Sequence, residues 1–307
     1  MRFFILLLFC FPFCLSAQQK EVVVKLDKSI RGDEVNVIFN AHSTAYGRQV
    51  LILELTGGVY DRASSGRTIV KELQYGTNRL LSLSNVKGTP GYGYTWVSGC
   101  LNIKPAEVTY LFPFAPGKTS RIQALYNIDE EHLGKDAPRN WASYSMTAVT
   151  GDTVFAARRG TVIEVVEHKE VPQGEHLSYA RDVNYVIIEH EDCTRGKYEL
   201  FARNGVFPAK GAKVEAGEAL GTIMEGQAYL TGTHLRFSVY YPELDRQQMI
   251  DLRKKRGKTT LAYVKPNFVG AGVLEKGGNY TAEFQQDLIF QEMSKREIKR
   301  WRKRNGG

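Results

Sequence analysis

The stretch Gly232-Thr-His234-Leu-Arg236-Phe-Ser-Val239 holds the residues of this chain that come nearest to metal chemistry. Apolar and polar residues alternate from Leu235 to Tyr240, which predicts a strand with His234 and Arg236 on one face. A His-x-His pair on a strand aims two imidazoles at one metal ion. Here the second place is a guanidinium, always charged and without a lone pair to give. The pattern is a metal-binding strand that has lost a ligand.

The elements that must position this strand are mainly β. From Glu21 to about Val108, short apolar runs (Val22–Val24, Val35–Phe39, Val50–Leu55, Arg79–Leu83) alternate with glycine- and serine-rich turns at 57–58, 64–66 and 88–93. That spacing predicts a small β-sandwich. His42 sits there beside a Ser/Thr turn and reads as a hydrogen-bonding surface residue. Tyr110-Leu-Phe-Pro-Phe-Ala-Pro-Gly117 reads as a joint, and 122–141 as a long polar loop. Strands resume at Thr153–Ala157, Gly160–Val166, Asn184–His190, Lys197–Phe201, Ala219–Ile223 and Leu235–Tyr240, an antiparallel β core with glycines at its corners. A helical stretch over 243–258, a strand pair near 262–264 and 279–282, and a helix over 283–304 complete the reading.

Four fragments in register over about 110–240 resemble the lysostaphin/LytM-type zinc endopeptidases, which cut peptidoglycan cross-bridges. They are Gly151-Asp-Thr-Val-Phe-Ala-Ala-Arg-Arg-Gly160-Thr-Val, Asn184–His190, Gly211-Ala-Lys-Val214-Glu-Ala-Gly217-Glu-Ala-Leu-Gly221 and Gly232–Phe237. The resemblance implies an antiparallel β domain of the duplicated hybrid motif type. It implies three zinc ligands and an assisting histidine, whose positions can be followed one by one. The aspartate ligand, six residues before the glycine matched by Gly151, falls on Ser145, a poor and uncharged ligand. The first histidine ligand falls four residues earlier, on Trp141; in a looser-spaced branch of the family its counterpart is His132. The histidine of the "tyrosine, any residue, histidine, leucine" element falls on Leu200. His234 keeps the assisting histidine, and Arg236 replaces the last ligand.

Exchanging a carboxylate for a hydroxyl and an imidazole for a guanidinium raises the local charge by two. At roughly 4 Å and an effective dielectric of about 20, each unit against a divalent ion is worth several kcal/mol. No metal is expected, and the Arg236 guanidinium is suited instead to an anion such as a carboxylate. Zinc enters only in the alternative reading of an active endopeptidase with unorthodox ligands, His132 and His234 among them. His168, His176 and Asp182 would serve it only if their loop folded over the groove. His190 reads as a satisfied structural histidine and Asp192 as a turn residue.

The chain begins with Arg2, an apolar run Phe3–Phe13 and Leu15-Ser-Ala17, the pattern of a secretory signal over 1–17, with a retained anchor as the alternative. Export, periplasmic or extracellular, removes Cys10 and Cys14 and permits a Cys100–Cys193 disulfide; two separately buried thiols are the other reading. The expected segments are a sandwich over 18–108, a LytM-like domain over 109–242, a mixed extension over 243–282 and a basic helix over 283–307. The net charge of +8 is concentrated at Lys295, Arg296, Lys299, Arg300, Arg302, Lys303 and Arg304. These form either a solvated face or a patch for an anionic surface; nucleic acid is not expected, since it does not fit export and the stretch lacks the several aromatics that base stacking needs. Three functions remain at this level. The first is an inactive pseudo-endopeptidase that binds peptidoglycan peptide or a cell-wall enzyme. The second is the active zinc enzyme. The third is a structural protein working through its β-sandwich.

Overall fold

The structure is a computed structural model of the 307-residue chain and describes residues 21–31, 34–56, 68–84, 86, 90–124, 140–170, 183–224, 233–254, 257, 259–304 and 306. The expected signal segment, His132, His176, Asp182, the turns at 57–58 and 64–66 and most of the 122–141 loop lie outside the described residues.

The first part is a sandwich. Val22–Arg31, Glu34–Ser43 and Gly76–Leu83 make one three-stranded antiparallel sheet, and Thr68–Leu73, Gln49–Thr56 and Gly91–Ser98 the other. Val22, Val24, Val37 and Phe39 meet Leu51, Leu53, Leu55 and Leu73 in a shared core. Val50 and Ile52 point the other way, onto Leu244 and Met249. That explains the unbroken apolar run 50–53: the strand is covered on both faces. Met249 belongs to the helix Arg246–Arg253, which starts cleanly because Asp245 accepts from Gln248 N and Gln248 Oε1 accepts from Asp245 N, each at 2.7 Å.

The second part is built on a nine-stranded sheet with His234–Glu243 near its middle. The order runs Lys213–Val214, Gly160–Val166, Tyr185–Glu189, Arg195–Glu199, His234–Glu243, Ser143–Thr147, Thr119–Ala124, Asn279–Thr281. Thr260–Val264 pairs with the outer half of His234–Glu243. A three-stranded sheet of Thr153–Phe155, Ala219–Ile223 and Phe201–Val206 packs against it. Tyr144, Val186, Ile188, Tyr198, Phe237, Val154, Leu220 and Ile223 fill the core between them. Gly160 permits a close crossing here: a Cβ would stand 2.5 Å from the Glu189 carbonyl oxygen.

Several expectations are corrected. The joint at 110–117 is core: Tyr110, Phe112 and Phe114 are buried, and Leu111 N donates to Ala157 O at 2.8 Å. The strands near 262–264 and 279–281 do not pair with each other but extend the main sheet at two places. Thr119–Ala124 is a strand that runs into the segment read as loop, and Ser143–Thr147, assigned to no element from the sequence, is another. The helix expected over 283–304 is two, Gln286–Phe290 and Lys295–Arg304.

The break between those helices follows from a buried arginine. Arg158 is 1% exposed, and its guanidinium is fully committed. Nε and Nη2 donate to the two Glu292 oxygens at 3.0 and 2.6 Å. Nη1 donates to Tyr110 Oη, Asp192 Oδ2 and Thr194 Oγ1 at 3.1, 2.9 and 3.2 Å. Turning Glu292 inward interrupts the helix. Ser294 and Glu297 then restart it with a reciprocal cap, Glu297 Oε2 accepting from Ser294 N at 2.8 Å. Asp192 also accepts from Ala106 N at 2.8 Å, and its neighbour Cys193 is bonded to Cys100 with Cα atoms 6.2 Å apart. The disulfide therefore ties the sandwich to the second part. It spans 93 residues, a loop long enough for about 4–5 kcal/mol by chain-entropy reasoning.

Removing one partner of a buried pair leaves the other charge without compensation, at about 3–5 kcal/mol. Glu292→Ala is therefore expected to lower the unfolding free energy by about 3 kcal/mol in urea melts and to speed tryptic cleavage within 295–304. Glu297→Ala, whose carboxylate is 41% exposed, should cost much less. Equal stability of Glu292→Ala and the parent would show that the clasp contributes nothing.

Candidate functional site

The family positions meet on one face of the central strand. Glu199 lies directly opposite Arg236 on one side, and Ser145 opposite Arg236 on the other. The row continues to Tyr185 beside Glu199 and Gln123 beside Ser145. Directly opposed residues share a face, so five strands present one polar row. Leu235, Phe237, Tyr198 and Val186, one residue out of phase, face the core. His234 is two residues from Arg236 on the polar side, opposite Thr147. The sequence placed Ser145, His234 and Arg236 together, and the structure does bring them together.

What it adds is Glu199. Arg236 Nη1 stands 3.8 Å from Glu199 Oε2, and Lys197 Nζ donates to Glu199 Oε1 at 2.7 Å. Lys197 also lies 4.6 Å above the Tyr185 ring, whose hydroxyl donates to Glu164 Oε1 at 2.5 Å. Burial, then that carboxylate, pushes the Tyr185 hydroxyl pKa up. Arg236 is 2% exposed, Glu199 5% and Ser145 4%. The anion expected for Arg236, a carboxylate, is supplied from within the chain by Glu199. It comes from the adjacent strand, and the guanidinium is out of reach of solvent. The residue was in plain view inside Tyr198-Glu-Leu200, but only strand register places it at the pair.

The remaining positions are filled by packing. Leu200 is buried with Val183 and Met224, at a φ of +80° that leucine seldom adopts. Trp141 sits 4.6 Å from the Tyr263 ring, which in turn lies 5.8 Å from Tyr240. Burial pushes the Tyr240 hydroxyl up to about 12. His132 lies outside the described residues. His168 Nδ1 is 3.2 Å from Asn204 Oδ1 on an exposed strand edge, and His42 Nδ1 is 3.2 Å from Thr77 Oγ1, a surface residue as read.

His190 and Asp192 belong to the Arg158 node. Asp192 accepts from Thr194 N and Oγ1 in its own turn, as read, besides Ala106 and Arg158. His190 is 1% exposed and donates from Nδ1 to Arg159 O at 2.7 Å. Burial, reinforced by the Arg158 charge, lowers its pKa to about 4 and keeps the ring neutral.

Among the described residues no three His, Cys, Asp or Glu side chains converge as a metal site. Among the described residues the family positions carry one imidazole, a hydroxyl, an indole, an isobutyl group and a guanidinium, a donor set that does not fit zinc. A cleft of about 650 Å³ opens elsewhere, between Tyr46 and Tyr75 of the sandwich, Arg159 and Lys213 of the main sheet, and Glu297 of the last helix. None of Trp141, Ser145, Leu200, His234 or Arg236 lines it.

Residues 139–258 match the model of peptidase family M23, and this segment is an M23 (LytM-type) domain. Solved structures with similar folds include a zinc-containing peptidase from Vibrio cholerae, at 14% identity and TM-score 0.25 over 70% of this chain and 81% of that one. Another is Csd3 of Helicobacter pylori in its hexagonal crystal, at 14% identity and TM-score 0.28 over 79% of this chain and 75% of that one. A third is a chain of the SpoIIQ–SpoIIIAH pore-forming complex, at 18% identity and TM-score 0.30 over 44% of this chain and 84% of that one. Likenesses this low support no functional conclusion. No curated protein matches the chain.

Two outcomes follow for the buried polar groups. Glu199→Gln leaves Arg236 and Lys197 facing each other and is expected to cost about 3 kcal/mol, while Glu199→Gln with Arg236→Gln recovers part of it in a double-mutant cycle. Additive losses would mean that the pair is not coupled. For His190, the folded pKa of about 4 lies below the ordinary 6.5, so the unfolded chain binds the proton more readily between these values. This contribution is complete above pH 6.5 and lost as pH falls, about 3 kcal/mol in all by pH 4. Urea melts across that window should show a shallower decline for His190→Gln than for the parent. Parallel curves would rule out a neutral buried ring.

Proposed function

We propose that this M23 domain is a pseudo-endopeptidase: an exported module that binds or regulates at the cell wall, through peptidoglycan peptide or a wall enzyme, without cleaving it. The observation that carries the reading is the Arg236–Glu199 pair. Where the family's last ligand should point at a metal, a cation already sits beside a carboxylate, buried between Ser145 and Glu199. A divalent ion there would have to displace or oppose that cation, at several kcal/mol by the Coulomb estimate for charges about 4 Å apart at a dielectric of about 20. Supporting it, Leu200 and Trp141 are held by apolar and aromatic packing that an added imidazole would disturb.

With the old site closed, recognition falls to the outer surfaces of the domain. The family relation points to the wall, and the amino-terminal segment points to export.

Metal analysis of the purified mature chain is the test. Zinc well below one equivalent is expected, and chelator should leave the thermal midpoint unchanged. Arg236→His alone should not restore zinc, because Ser145 and Leu200 still stand in the way. Stoichiometric zinc, or chelator-sensitive cleavage of wall peptides that His234→Ala abolishes, would sink the proposal in favour of an active enzyme.

A further inference from the structure

The last helix carries a feature that the closed peptidase site does not use. Lys295–Arg304 holds seven cations against a single carboxylate, a net of +6 out of +8 for the whole chain. That carboxylate, Glu297, is turned toward the body. Its Oε1 accepts from Arg159 Nη2 at 2.8 Å and its Oε2 caps the helix start, which together hold its pKa near 2. The one internal counter-charge is therefore spent on mounting the helix. None of the seven cations is in an ion pair among the described residues, and all seven are exposed. Arg302 lies 5.5 Å over the Phe290 ring.

The mounting is firm. Trp301 packs edge-on against Phe290 at 5.1 Å, and Arg159 Nη1 donates to Glu292 O at 2.6 Å. Gln291 bonds to both backbone groups of Thr109 at 2.6 and 3.2 Å. A charge run on a loose tail is averaged by motion; here it is presented by a fixed helix. On its outer side Ile298 lies among Lys295, Lys299, Arg302 and Lys303, with Lys295 and Arg302 one helical turn away on either hand. Their methylene stems and Ile298 make an apolar strip rimmed by charged heads. Long cationic side chains at a lipid interface take that arrangement, stems in the headgroup layer and charges on the phosphates.

We infer that the helix Lys295–Arg304 is a docking surface for the phosphate headgroups of an anionic phospholipid bilayer. It holds the protein at a membrane surface by electrostatics, without insertion. The apolar strip favours lipid over a soluble phosphate polymer, which offers nothing for it to cover. The inference is independent of whether the M23 domain cleaves.

Sedimentation of the full mature chain with vesicles tests it. Vesicles with about one phosphatidylglycerol in three should bind it, phosphatidylcholine vesicles should not, and raising salt from about 0.05 to about 0.5 M should release it. The exposed triple variant Lys299→Gln, Arg300→Gln, Lys303→Gln should lose about fivefold per charge, on the order of a hundredfold in all. Lys25→Gln, Lys210→Gln, Lys276→Gln removes the same charge from exposed sites elsewhere and should stay within about twofold. Equal binding to both vesicle types, no binding to either, or equal losses in the two triple variants would overturn the inference. So would full competition by soluble polyphosphate at equal phosphate concentration, which would assign the surface to polymers.

Discussion

The architecture turns on a cation kept from water. Arg158 is a full positive charge inside the protein, and a buried charge is tolerated only where its attractions and hydrogen bonds match the solvation it gives up. Its partners come from widely separated parts of the chain: Tyr110 before the main sheet, Asp192 and Thr194 in the turn beside the disulfide, and Glu292 near the end. Satisfying one guanidinium therefore fixes three segments relative to one another. The neutral His190 ring belongs to the same node, since burial disfavours its charged form and Arg158 repels a second cation. The disulfide and the Arg48 bonds to the His190 and Glu191 carbonyls, at 2.9 and 2.7 Å, then join the sandwich to the same turn.

The peptidase-type site obeys the same rule with a different result. Cross-strand register aligns Glu199, Arg236 and Ser145 into one row and sets a cation beside a carboxylate on it. Position 236 keeps the strand and its face while the chemistry changes, because side-chain direction follows the pleat and not the residue type.

Much of this was legible along the chain. The two-residue period of 235–240, the apolar runs of the sandwich and the glycines at 151, 160, 211, 217 and 221 all mark real strands and turns. The spacing also put Ser145, His234 and Arg236 on strands that pair directly. Harder to read were strands with small polar residues, such as Ser143–Thr147, whose alternation is masked by serine on the outer face. The segment 110–117 misled for the opposite reason. Its prolines suggested a linker, while its alternating aromatics are buried one by one in the core.

Residue identity alone determined that a permanent cation stands at 236 with no carboxylate at 145, that cysteines 100 and 193 were free to pair, and that the last helix is strongly basic. Tertiary structure decided which distant groups neutralise which. Glu199 answers Arg236, Glu292 answers Arg158, and Glu297 answers Arg159. Coulomb attraction and hydrogen bonding act over a few ångströms in space, and only the register of the sheet and the path of the chain bring such residues within that range.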